Sequence, residues 1–376
     1  MRRLALGIVG WLVSSWAGAG VPNTVTFVPL NQTAAGAEPV SFAIGDFNGD
    51  GKPDLAVVDQ RSATVRILLG TGNGNFEPWV DYQVGIGPVA IVTADFNRDG
   101  KLDLVVASRL SNTVQLLLGN GNGTFRPFTT LASSGPTALA FGDFNADGNL
   151  DLAVTNSNSN TVSVFLGVGA GIFRAPLNFY VGEGPSSIAV GDFNGDGKLD
   201  LAVANLASNN VSILLGTGDG IFEPILNFAA GLNPAWIALG DFNGDGKVDL
   251  AVVNATGSKN TDFKTTVSVL LGNGNGTFQS PRSSVAGTKA SFLISADFNG
   301  DGKLDLAVAD PGSNDIAILL GFGNGYFLPA IKVAAGNGPA WIGSIDFAQT
   351  AAPDLIVANS GSDNLSVLSN LTGGKK

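Results

Sequence analysis

The sequence predicts an all-β protein: a seven-bladed β-propeller of four-stranded antiparallel blades, closed by an N-terminal strand that completes the last blade. Three observations predict it. A unit opening on Asp-Phe recurs at Asp46, Asp95, Asp143, Asp192, Asp241, Asp297 and Asp346, at intervals of 48 or 49 residues broken once by 56. Each unit carries four short runs of Val, Ile, Leu and Phe punctuated by Gly, Asn, Asp and Ser, and no stretch keeps a 3.6-residue apolar period. The seventh unit ends after its third run, while a run resembling the missing fourth stands near the start of the chain.

Taken in order, residues 1–20 read as a secretory signal peptide. Arg2 and Arg3 form a basic start, "LALGIVGWLV" (4–13) is apolar, and Ala17 and Ala19 supply the small residues of a cleavage site. The apolar run is shorter than the about twenty residues of a membrane span, and no later segment could cross a membrane. Residues 21–370 form one propeller domain, and 371–376 a short flexible tail. "TVTFVPLNQTAAG" (24–36) places Phe27 and Pro29 in the Phe-x-Pro positions of the fourth run, so it is read as the strand that clasps the ring shut.

Unit four illustrates the rest. "SSIAVGDF" (186–193) leads into a polar loop, "DLAVAN" (200–205) follows, then "VSILLG" (211–216), the turn "TGDG" and "IFEPILNFAAG" (221–231). Pro lies in the fourth run at Pro78, Pro127, Pro176, Pro224, Pro281 and Pro329. A residue without an N–H belongs on an edge, so the fourth strand is expected outermost. "DFAQTAAPDL" (346–355) is a spoiled copy of the loop, kept because the ring needs a seventh blade.

Composition narrows the chemistry. The chain has 376 residues, a formal net charge of −11, 52 Gly, and neither Cys nor His. The acidic balance argues against nucleic acid, which requires a basic surface. Lack of His and Cys removes Ser-His and Cys-His nucleophile systems, and there is no Gly-x-Ser-x-Gly elbow. The strings "GTGNGNF" (70–76) and "GNGNGTF" (119–125, 272–278) lie between two strands with no helix behind them, so they are hairpin turns rather than phosphate cradles.

The loop itself reads Asp-Phe-Asn-x-Asp-Gly-x-x-Asp-Leu in six units. Side-chain oxygens fall at positions 1, 3, 5 and 9, Gly at position 6 allows a sharp bend, and position 7 offers its backbone carbonyl. The ligand set so read is Asp46, Asn48, Asp50, Asp54 with Lys52; Asp95, Asn97, Asp99, Asp103 with Lys101; and Asp143, Asn145, Asp147, Asp151 with Asn149. The next three units supply Asp192, Asn194, Asp196, Asp200 with Lys198; Asp241, Asn243, Asp245, Asp249 with Lys247; and Asp297, Asn299, Asp301, Asp305 with Lys303. Three carboxylates about 5 Å apart repel by roughly 3 kcal/mol per pair at an effective dielectric near 20. An all-oxygen cage of this kind suits Ca²⁺, whereas Mg²⁺ demands a near-ideal octahedron and keeps its waters. An EF-hand-type loop shares the first six positions but needs an acid at position 12 and flanking helices; plain Asn/Asp/Gly turns need only one or two such residues. Six Ca²⁺ sites are expected, none in the seventh unit. They would use 18 of the 31 acidic residues.

"GDFNGDGKLDLAVAN" followed by "VSILLGTGDGIF" resembles the FG-GAP/VCBS repeat family, the propeller type of integrin α-subunit heads and many bacterial secreted proteins. The resemblance covers about residues 24–370. It implies a calcium loop joining the first and second strands of each blade on the lower face, and non-catalytic adhesion or ligand binding through the opposite face.

Two departures from the repeat fall on that upper face. Unit five has a 2–3 loop longer by seven residues, with Lys259, Asp262 and Phe263. Five residues before the motif Asp, small residues give way to Trp236, Phe292 and Trp341 in units five to seven. These are a candidate ligand patch for a sugar ring or peptide, or else rings filling the channel. Trp79, in an outer run of unit one, reads as packing. The functional expectation is a secreted, monomeric, calcium-binding recognition or adhesion module for an extracellular protein or glycan. The alternatives are a propeller-based polysaccharide lyase or hydrolase, and a structural envelope or matrix protein.

Overall fold

The computed structural model describes residues 24–255, 264–347 and 352–372. The leader at 1–20, Lys259, Asp262 and Phe263 of the long loop, and the end of the tail lie outside the described residues. Among the described residues the regular elements are all strands, arranged as seven four-stranded antiparallel sheets. Blade one consists of Pro39–Gly45, Asp54–Asp59, Thr64–Gly70 and Phe76–Gln83, paired in that order.

Burial follows strand order. The second strand is covered by a neighbouring blade on both faces, so Asp54–Asp59 and its six counterparts are buried at every position. That is why these strands read as unbroken apolar runs between two polar ends instead of alternating. Fourth strands such as Leu177–Tyr180 and Leu226–Ala229 are largely exposed. The prolines agree with this placement: Pro78 and Pro127 sit within outer strands, and the other four lie one or two residues before theirs.

Closure is as the sequence predicts. Phe27–Ala34 pairs antiparallel with Asn364–Asn370, from Phe27 opposite Asn370 to Ala34 opposite Asn364, and becomes the outer strand of blade seven. Backbone bonds from Leu371 N–H to the Thr26 carbonyl (2.8 Å) and from Thr26 N–H to Thr372 Oγ1 (2.9 Å) fasten the junction.

The Phe of each Asp-Phe pair docks on the next blade. Phe47 meets Phe125 at 5.4 Å, Phe144 meets Phe222 at 5.9 Å and Phe193 meets Phe278 at 5.8 Å, all edge-on. Phe96 with Phe173, and Phe242 with Phe327, continue the ring. Phe298 uses Phe27 of the closing strand, and Phe347 uses Phe76 of blade one. Edge-to-face pairs at these separations contribute about 0.5–1.5 kcal/mol each beyond their area burial. Six seams carry an edge-to-face pair, and the seventh the tilted Phe96–Phe173 pair at 6.2 Å.

Candidate metal centre

The polar loops hang from the ends of the first and second strands, and their backbone is wound round the side chains. Asp46 Oδ1 accepts from the N–H of Gly49 (2.8 Å) and Asp50 (3.1 Å), and its Oδ2 from Gly51 (2.9 Å). Asn48 Oδ1 accepts from Asp50 N–H, and Asp50 Oδ1 from Lys52 N–H, both at 2.9 Å. The winding needs left-handed backbone at Gly49 (φ 77°) and Gly51 (φ 80°), which Gly adopts without strain. In the second and third loops Arg98 and Ala146 occupy the first of these positions with φ of 63° and 58°, so Gly is indispensable only at position 6.

Positions 1, 3 and 5 are thus brought together, with the position-5 carboxylates exposed in five loops and half-buried at Asp301. Position 9 differs. Asp54 is fully buried, its Oδ2 accepting from Phe47 N–H (2.9 Å) and its Oδ1 from Gly70 N–H (2.8 Å) on the third strand. Counterparts in the other blades do the same, including Asp354, which accepts from Phe347 N–H (3.1 Å) and Asn370 N–H (2.7 Å) in the spoiled unit. This aspartate staples the loop to the hairpin whether or not the rest of the motif is present. Sequence reasoning missed that second task, although retention of Asp354 is its signal.

Electrostatics records the crowding. Burial pushes the Asp54 carboxyl up, the Gly70 and Phe47 N–H groups pull it down, and the charges of Asp50 and Asp46 push it up again. Burial raises Asp151, Asp200 and Asp249 to about 6, with the same two neighbours adding to the rise, and Asp305 to about 7. At position 5, the Lys52 backbone N–H holds Asp50 below the usual carboxylate range. The position-7 side chain does not simply face solvent. Lys52 Nζ returns to Asp50 at 3.3 Å, and Lys198, Lys247 and Lys303 do likewise at 3.4–3.8 Å. In the third loop Asn149 Nδ2 donates to Asp147 Oδ1 at 2.9 Å.

Among the described residues no group of three or more acidic side chains is preassembled around one point. The donor set nevertheless fits a hard divalent cation: only oxygen donors, and carboxylates close enough to raise one another.

The loop is also tied to the following blade. The Phe47 carbonyl accepts from Gly123 N–H (2.7 Å), Phe144 from Gly220, Phe193 from Gly276 and Phe242 from Gly325. These donors sit in the glycine-rich strings between third and fourth strands, which act as hairpin turns and as inter-blade clamps.

The upper-face candidates come together only in part. Phe292 stacks on Trp341 at 4.0 Å, and Trp236 touches Phe292 at 4.6 Å and Trp341 at 4.8 Å. Phe292 is buried and the two indoles are half-buried against the cores of the flanking blades. The three rings pack on one another across the inner strands. Trp79, read as packing, is 53% exposed.

A family model described as the FG-GAP-like repeat matches six segments, 46–106, 95–154, 143–203, 192–252, 253–308 and 297–357, five of them starting at the Asp of a polar loop and the fifth in order starting within the second strand of blade five. The chain belongs to the FG-GAP-like repeat family. No curated protein matches this FG-GAP chain. Among solved structures it is similar to BBS1N, crystallised in complex with ARL6DN, at 15% identity and a TM-score of 0.64 over 91% of this chain and 96% of that one. A functionally unknown protein from Desulfotomaculum acetoxidans gives 17% and 0.57 over 80% and 88%. A Bacteroides fragilis protein provisionally assigned as a 6-phosphogluconolactonase gives 19% and 0.63 over 87% and 95%. Likeness at these identities bears on the fold alone.

Proposed function

We propose that this FG-GAP-like propeller is a secreted, calcium-stabilised, monomeric recognition or adhesion module without catalytic activity. The observation that carries the calcium reading is an internal comparison. Six loops keep acid, amide and acid at positions 1, 3 and 5, while the seventh loses positions 3 and 5 yet retains Phe347 and Asp354, the two residues that hold blades and hairpins together. Folding accounts for Phe347 and Asp354 of the seventh loop, which also keeps Asp346 at position 1; it does not account for the amide and acid that the other six keep at positions 3 and 5. In each complete loop the side-chain oxygens at positions 1, 3 and 5, the position-7 carbonyl and the remaining lone pairs of position 9 would hold the ion. A bound Ca²⁺ supplies the positive charge that offsets three crowded carboxylates. Because the Phe carbonyl of the same loop accepts from the next blade's turn, stiffening a loop also stiffens a seam.

The leader-like sequence at 1–20 supports export. A protein or glycan partner on the upper face, beside Trp236 and Trp341, is supported by the departure of blades five to seven from the repeat, and by the propeller neighbour solved in complex with a protein. Titration calorimetry on demetallated protein tests the metal: six Ca²⁺ sites support the reading, and no heat discards it. A glycan array with and without calcium tests the partner class.

A second reading as an enzyme is favoured only by the neighbour assigned to lactone hydrolysis. Neither His nor Cys is available to this chain as a nucleophile or general base. Turnover of 6-phosphogluconolactone or release of new ends from soluble polysaccharide would replace the module reading with it.

A further inference from the structure

The residue that ends the second strand can be compared in all seven blades. In four it is Asn, and Asn156, Asn205, Asn254 and Asn359 each donate from Nδ2 to a serine diagonally across on the third strand, at 2.8–2.9 Å. In blade two it is Ser108, a buried hydroxyl without a hydrogen-bond partner. In blade six it is Asp310, which accepts from Thr288 N–H (2.7 Å), Lys289 N–H (2.9 Å) and Ser313 Oγ (2.7 Å). In blade one it is Asp59, fully buried; neither carboxyl oxygen makes a hydrogen bond of good geometry, and the Thr64 hydroxyl beside it gives only a weak contact.

Where four blades have the serine, blade one has Arg66, whose guanidinium is held by Asp81. Its Nε and Nη2 donate to Asp81 Oδ1 and Oδ2 on the outer strand at 2.8 and 2.7 Å. Gly36, at the end of the ring-closing strand, presses on the Asp59 carboxyl so closely that a Cβ there would stand 1.9 Å from Oδ2. Beyond it lies Asp363 of blade seven, accepting from Glu38 N–H at 2.8 Å, with Glu38 paired to Arg61. Asp59 therefore sits where the first strand leaves blade seven and the chain enters blade one.

We propose that Asp59, Arg66 and Asp81 form a proton-controlled switch at the ring-closing seam: with Asp59 protonated Arg66 stays on Asp81, and when Asp59 releases its proton to solvent the two carboxylates compete for the one guanidinium. Desolvation raises the Asp59 carboxyl to about 7, opposed by the Arg66 charge and the Thr64 hydroxyl and assisted by the charges of Asp81 and Asp363. The sign follows from linkage. The folded state holds this proton more tightly than the unfolded chain, so the stability it confers is complete below the unfolded value of 3.8 and is lost as pH climbs to about 7.

The test is thermal unfolding of the full chain at saturating calcium, from pH 4 to 8.5, for the wild type, Asp59→Asn and Asp81→Asn. Asp59→Asn restores the amide found in four sister blades and is expected to remove a fall in Tm that starts near pH 4 and levels off near pH 7. Asp81→Asn frees Arg66 for Asp59 and is expected to move the levelling-off to lower pH. Superimposable profiles for the wild type and Asp59→Asn, or an unmoved levelling-off in Asp81→Asn, overturn the proposal. If Asp59→Asn does not fold, ¹³C NMR of the wild-type Asp59 carboxyl decides: titration near 7 upholds the switch, and titration near 4 overturns it.

Discussion

The Phe347 ring meets the Phe76 ring edge-on at 6.1 Å, making the seam between the last blade and the first, although the loop that begins beside Phe347 has lost its central polar residues. Six equivalent pairs occur at the other seams. The Phe of the motif is thus a seam residue, and the acids around it answer to a different requirement.

Replacing Phe347 or Phe76 with Ala should each cost about 2–4 kcal/mol, at or below the range for buried aromatics because Phe347 is half-buried. The double variant should show a coupling of about 0.5–1.5 kcal/mol. Urea denaturation of the four proteins measures it. Full additivity would mean that the pair carries no seam energy of its own.

Asp354→Ala leaves the N–H groups of Phe347 and Asn370 without their acceptor, at about 1–3 kcal/mol for each buried donor. Calcium stoichiometry should not change. The same substitution at Asp54 should cost comparable stability and also remove one calcium site. Calorimetric stoichiometry beside denaturation separates the two roles of position 9.

Chelation should lower Tm strongly. A site with Kd at a hundredth of free Ca²⁺ adds about 2.7 kcal/mol, so even partial occupancy of six sites is measurable by scanning calorimetry. Identical melting with excess EGTA and with millimolar calcium would remove the metal from the folding account.

Trp341→Ala and Trp236→Ala open a cluster in which each ring touches the other two. A loss of about 2–4 kcal/mol is expected, below the fully buried case because both indoles are half-exposed. Trp79→Ala, by contrast, should change stability by less than about 0.5 kcal/mol, as for an ordinary surface site. Denaturant midpoints for the three variants check this ordering. If stability holds in the first two variants while binding to a glycan or peptide is lost, the rings serve a ligand and not the packing.

Much of the site was legible in the chain. The spacing of the acids identified six loops, and the Gly at position 6 announced the turn. The second task of position 9 was not legible, because its partners, such as Gly70 for Asp54, lie sixteen residues away on another strand. The fate of Trp79 was misread for a similar reason: exposure on an outer strand depends on what the next blade leaves uncovered.

By itself the sequence determined the number of blades, the strand order within each, the closing strand and the loops rich in carboxylate. Those properties are periodic and local, and a repeat states them seven times. Only the tertiary structure decided which residues meet across seams: Phe347 with Phe76, Phe47 O with Gly123 N–H, and Asp59 with Gly36. Such contacts join residues tens of positions apart, where burial and register, rather than local propensity, fix the partner.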